Sequence, residues 1–175
     1  MPKKLDNIRE KAIAETRRVL EEQGYPALAM RDIAKQCGVA VGTMYNYFPS
    51  KEYLTGCVVL EDWLVTYERM TGIAAGADTI GHGIRDIYEL MLTFVLQHQY
   101  LTSFNSSEAK TPYDFYERHT VLLKQIEALL QMLQKRFGYS VEAPMNTFLA
   151  ECILSFSVKK YPYTQIAPAF MKLLS

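Results

Sequence analysis

Apolar residues recur at three- and four-residue intervals along nearly the whole chain, and no stretch alternates in the manner of a strand. Leu5, Ile8, Ala12, Thr16, Val19 and Leu20 predict a first helix reaching about Gln23, stopped by Gly24 and turned by Tyr25-Pro26. Met30, Ile33, Ala34 and Cys37 predict a short second helix. Gly38 closes it, because glycine enters the left-handed conformation without steric cost. After Val39, an apolar plug, Met44 and Phe48 mark the inward face of a third short helix starting at Val41. Pro49-Ser50-Lys51-Glu52 begins a fourth, with Ser50 as its cap and Lys51 free to reach outward. Leu54, Val58, Trp63, Val65 and Tyr67 carry it to about Met70. The Gly- and Ala-rich run TGIAAGADTIGHG predicts a loop and a place for a moving joint. Stripes ending in His98, Phe137, Phe156 and Leu174 predict four more helices, at about 79–99, 113–137, 142–160 and 164–174. The expected fold is all-α: a three-helix helix-turn-helix head over 1–48 and a helical body over 49–175.

The third helix is unusual in what it leaves outside. Its outward positions are Gly42, Thr43, Tyr45, Asn46 and Tyr47, where a solvated helix normally carries Lys and Glu. Glycine, hydroxyls, an amide and phenols suit close approach to a polar surface, with DNA phosphates and base edges the expected partner. Residues 2–4 add a short basic arm that could lie along a DNA backbone.

The runs GVAVGTMYNYFPSKE and GYPALAMRDIAKQCG carry a specific resemblance. They resemble the recognition helix and preceding helices of the tetracycline-repressor-like (TetR/AcrR) family of bacterial transcription regulators, over about the first third of the chain. The resemblance implies a DNA-binding homodimer, with Arg31, Val41, Gly42, Thr43, Tyr45, Asn46, Tyr47 and Lys51 facing the duplex. Gly42 would admit the backbone, Thr43 and Tyr45 would meet phosphate or thymine methyl, and Asn46 would read adenine. Tyr47 and Lys51 would hold phosphates. It also implies a repressor on a near-palindromic operator, released by a small apolar or aromatic effector bound in the body. The fourth helix would act as the two-state element. The dimer would form through the helices at about 113–137 and 142–160, or through the latter and the C-terminal helix. Two positions depart from the family pattern: Ala29 and Ala40 stand where a capping Ser or Thr is usual.

Composition sharpens this picture modestly. Hydrophobic residues make up 49% of the 175, enough for a core, and charged residues 22%. The net charge is zero, but residues 1–52 hold nine Lys and Arg against seven Asp and Glu, and the rest ten against twelve. That asymmetry has the sign a DNA-binding head needs, and calls for a dimer that pools phosphate contacts. No secretory leader and no membrane-spanning run is expected, so the chain is expected in the cytoplasm. Cys37, Cys57 and Cys152 are expected as free thiols. His82, His98 and His119 lack metal-ligand spacing, and no nucleophile or phosphate-loop motif occurs. No metal, cofactor or enzymatic activity is expected. In the body Trp63, Tyr67, Tyr88, Met91, Phe94, Tyr116, His119 and Phe148 are candidate effector contacts. Two alternatives stay open: a regulator or activator whose body only dimerises, and a helical-bundle module retaining the head.

Overall fold

A computed structural model of the chain describes residues 3–100 and 115–174. The helices are α1 (Lys3–Gln23), α2 (Met30–Cys37), α3 (Val41–Tyr47), α4 (Lys51–Gly76), α5 (Ile80–Gln97), α6 (Phe115–Phe137), α7 (Ala143–Val158) and α8 (Tyr163–Leu174). A 3-10 turn, Tyr25–Ala27, lies between α1 and α2. Among the described residues there is no strand, and the fold is all-α as expected. The loop expected over residues 100–112, Phe104 in it, lies outside the described residues except for Tyr100, as does the side chain of Tyr116.

The chain divides into two compact units. The first, the head, takes the chain up to Asp62 and also Tyr100. Ala12, Ile13 and Leu20 of α1 meet Ile33 and Ala34 of α2, Met44 of α3, and Leu54, Cys57 and Val58 of α4 in one buried cluster. Two glycines frame its turns with positive φ, Gly24 at 79° and Gly38 at 71°, where a Cβ would be strained. The second unit, the body, takes Trp63–Gln99 and the chain from Phe115 onward. Ile84, Ile87, Tyr88 and Met91 of α5 pack with Ile126, Leu129, Leu130 and Leu133 of α6, Leu149 and Ile153 of α7, and Phe170 of α8.

Two expectations about element ends are corrected. α1 begins at Lys3, so the expected arm is already helical there. More consequentially, the run after Met70 is not a loop: α4 continues to Gly76, and only residues 77–79 break before α5. Alanine favours helix, Ala74 is buried, and Thr71 Oγ1 donates back to the Tyr67 carbonyl at 2.9 Å. Packing of that face outweighs the two glycines.

Candidate nucleic-acid interface

The helix-turn-helix is built by three local choices. Gly38 ends α2 in the left-handed conformation (φ 71°, ψ 31°), and its N–H reaches the carbonyls of Ala34 and Lys35. Val39 follows, half-buried, its N–H on the Ala34 carbonyl at 3.0 Å. Met44 and Phe48 are then fully buried, which anchors α3 by its inner face. Each contributes roughly 1.5–3 kcal/mol of burial, so the outer face of α3 is left to other work.

That outer face presents Val41, Gly42, Tyr45 and Asn46 exposed, with Thr43 half-buried at its edge. Arg31 is exposed on α2. Nothing lies within 4 Å of where a Cβ on Gly42 would project, so a surface can approach the backbone there. Ala29 and Ala40 cap α2 and α3 in extended backbone but have no group to offer the first-turn N–H groups. Asp32 in the first turn of α2 is the acid facing its positive end.

Two of the expected contact residues are placed differently from the sequence reading. Tyr47 does not point outward: it is half-buried, its ring packs on the head cluster 6.4 Å from that of Phe48, and its hydroxyl is buried without a partner among the described residues. The 3.6-residue period places position 47 between the inner and outer faces, and a phenol there finds apolar neighbours. Lys51 is not free. Its Nζ donates to the Tyr25 carbonyl at 3.1 Å and lies 4.0 Å from the Tyr25 ring centroid, leaving further N–H bonds for a phosphate.

Tyr25 is the residue the sequence reading passed over as a mere turn. Its hydroxyl donates to Glu52 Oε1 at 2.8 Å, and Tyr100 stacks on it at 6.1 Å and 4°. Burial, with the Glu52 carboxylate beside it, pushes the Tyr25 phenol well above its ordinary pKa. Burial works to raise Glu52 as well, but its own backbone N–H, Tyr25 and Ser50 outweigh this and hold the carboxyl below its usual range. Ser50 caps α4 as expected, accepting from the Tyr53 N–H at 3.1 Å.

In the body, three of the candidate effector contacts come together. Trp63 lies 6.3 Å from Tyr67 and 5.2 Å from Phe94, edge-on to the latter, and His98, buried, follows at 4.4 Å from Phe94. Trp63 Nε1 donates to Gln125 Oε1 at 2.8 Å. Neither Gln125 nor His98 was among the candidates. The signal available was only that both are polar residues on apolar stripes. Tyr88 and Met91 are fully buried in the same body cluster, with the Tyr88 hydroxyl donating to the Tyr161 carbonyl at 2.6 Å. His119 Nε2 sits 3.3 Å from Glu151 Oε2. Phe148 is corrected outright: it is 51% exposed, so it lines no interior of this chain. Among the described residues no helix is long and apolar enough to cross a membrane, and no cluster of three metal-binding side chains occurs.

Residues 12–55 match the model of the bacterial regulatory proteins of the tetR family. An HTH-type transcriptional regulator of Bacillus subtilis, YuxN, is 29% identical over 106 residues, 60% of this chain. The HTH-type transcriptional repressor KstR of Mycolicibacterium smegmatis is 44% identical over 46 residues, 26% of this chain. The chain spans only 36% of the first relative's length and 22% of the second's. Among solved structures, a TetR/AcrR-family regulator from Thermobifida fusca superposes with a TM-score of 0.60 at 19% identity, covering 95% of each chain. The Bacillus subtilis regulator FadR, in complex with stearoyl-CoA, gives 0.59 at 19% identity over 98% of each. At that identity the likeness is one of fold.

Proposed function

We propose, from the match of residues 12–55 to the tetR family of bacterial regulatory proteins, that the whole chain is a DNA-binding transcriptional regulator of that family. It acts as a repressor on a near-palindromic operator, as a homodimer in the cytoplasm. The observation that carries this reading is the outer face of α3, where Gly42, Tyr45 and Asn46 stand exposed above a fully buried Met44 and Phe48. Asn46 reads adenine, Gly42 lets the backbone approach, Thr43 and Tyr45 meet the groove edge, and Arg31 and Lys51 hold phosphates. Val41 and Tyr47 shape the flank of the same surface. The DNA-reading residues lie in 1–48 with Lys51 beside them; the head packs as one unit to Asp62 rather than ending at 48, and the body beyond it supplies dimerisation and effector binding.

The two heads of a dimer enter successive major grooves about 34–36 Å apart. Exposed Met145, Phe148 and Val158 on α7, with Val121 and Met132 on α6, are the apolar surface a second copy would cover. The effector is a small apolar or aromatic molecule, held near Trp63, Tyr67 and Phe94. It relieves repression by binding the DNA-incompetent spacing of the heads better than the competent one. No chemistry is required of the protein, and it is not an enzyme in this reading. A second reading, a body that only dimerises, is favoured by the packing of Tyr88 and Met91, whose surfaces are already fully used.

Titration of purified protein against DNA from upstream of its own gene, across a salt series, tests the proposal. Two protomers bound per site, with affinity falling steeply as salt rises, supports it. Weak binding equal on every sequence sinks the operator reading.

A further inference from the structure

α7 is apolar on two sides. Its inward stripe is Asn146, Leu149, Ala150, Ile153, Leu154 and Ser157, all buried, with an amide at its start and a hydroxyl at its end. Its outward stripe begins with Met145 and Phe148, both exposed, and continues through half-buried Cys152 and Ser155. Burial of apolar area alone therefore does not choose which side turns inward, since both sides offer it.

Two amides make the choice. Gln134 of α6 donates through Nε2 to Asn146 Oδ1 at 3.0 Å, and Asn146 donates through Nδ2 to the Glu127 carbonyl at 3.3 Å. Gln134 and Asn146 are 5% and 2% exposed, so these groups find partners within the protein or stay unpaired. Beside them the Thr147 hydroxyl donates to Glu127 Oε1. Turning α7 about its axis would carry Asn146 outward and strand the Gln134 amide among apolar side chains, which is the costlier arrangement. A buried amide that fixes how helices meet is the best-attested use of such a group.

Met145, Phe148, Cys152 and Ser155 follow one another at intervals of three, four and three residues, the spacing of a narrow seam that packs against one other helix. A two-fold pair of chains lays the same stripe of both copies together, apolar against apolar. Resting on the dimer reading above, we propose that the Gln134–Asn146 pair is the specificity-determining contact of self-association. By fixing the rotation of α7 it decides that Met145, Phe148 and Cys152, and not the inward stripe, meet the second copy. The pair touches neither the second copy nor DNA in this scheme; it positions the seam.

Gln134→Leu with Asn146→Leu removes both amides together, so neither is left stranded in the core. In the full-length chain the helical signal should be retained, while the dimer dissociation constant in sedimentation should rise about tenfold or more. Rotation is read separately, by a thiol on the inward stripe. Ala150 is fully buried, and in Ala150→Cys with Cys152→Ser its thiol should react with iodoacetamide no faster than buried Cys37 and Cys57. Adding the two leucines should speed labelling at 150 about tenfold and leave Cys37 and Cys57 protected, which guards against general unfolding. Gln134→Leu alone keeps Asn146 on the Glu127 carbonyl and should give a smaller change of the same sign; it decides the matter if the double variant loses helix. An unchanged or tighter dimer overturns the specificity role, because the pair then only fills the core. A weaker dimer with position 150 still protected overturns the rotation. If the unaltered protein sediments as a monomer at every concentration, the dimer reading fails and the recognition role with it, while labelling still decides whether the pair sets α7.

Discussion

Tyr25 ties three neighbours together in the head. One phenol bonds Glu52, seats Lys51 and stacks on Tyr100. Tyr25→Phe keeps the ring and removes only the hydroxyl. It should cost about 1 kcal/mol in urea unfolding, a charge-assisted bond discounted for its partial exposure. The pH dependence follows from the two shifts. Glu52 is held low in the folded state, so its contribution is present above the ordinary carboxylate range and is lost as pH falls through its lowered value. Tyr25 is pushed high, so its contribution is present below about 10 and is lost as pH rises above that. The difference between Tyr25→Phe and the unaltered protein should therefore be flat from about pH 5 to 9 and shrink outside it. A difference that grows at low pH would show that the bond is not to the carboxylate.

At the scale of the element, α2 and α3 are short helices, of 8 and 7 residues, whose first turns are uncapped by any side chain. Helices so short take their stability from packing, since nucleation alone is unfavourable. Ala29→Ser supplies the missing acceptor and should stabilise the protein by about 0.5–1 kcal/mol in thermal or denaturant unfolding. An unchanged midpoint would mean that the extended backbone at 29 does not aim a serine at the first turn. The opposite sign is expected at Gly83, buried in α5. A Cβ there would stand 2.5 Å from Leu133 Cδ2 and 3.1 Å from the Cβ of Ala77. Leu133 is fully buried and has little room to yield, so Gly83→Ala should destabilise by about 1–3 kcal/mol despite alanine's better helix propensity.

At the scale of the molecule, the proposed dimer would cover the exposed apolar residues of α6 and α7. Phe148→Glu tests this, because a residue 51% exposed adds little to the fold of one chain. Sedimentation should move from dimer toward monomer while the helical signal changes little, and DNA affinity should fall with the loss of pooled phosphate contacts. A variant that remains fully dimeric places the interface elsewhere.

How much of this was legible beforehand depends on the range of the physics involved. The helices, the left-handed glycines at 24 and 38, the buried Met44 and Phe48, the Ser50 cap and the exposed Asn46 all follow from local rules: a 3.6-residue period, a φ only glycine tolerates, an oxygen three residues ahead of an N–H. Those rules act within a few residues, so the linear order contains them. The continuation of α4 to Gly76, the inward Tyr47, the outward Phe148 and the hub at Tyr25 do not follow from it. Their causes are not local: the hub at Tyr25 needs Glu52, 27 residues on, and the end of α4 is held where Ala74 joins the buried cluster of the body. Periodicity says that a side chain turns toward a neighbour; only the packed structure decides which one.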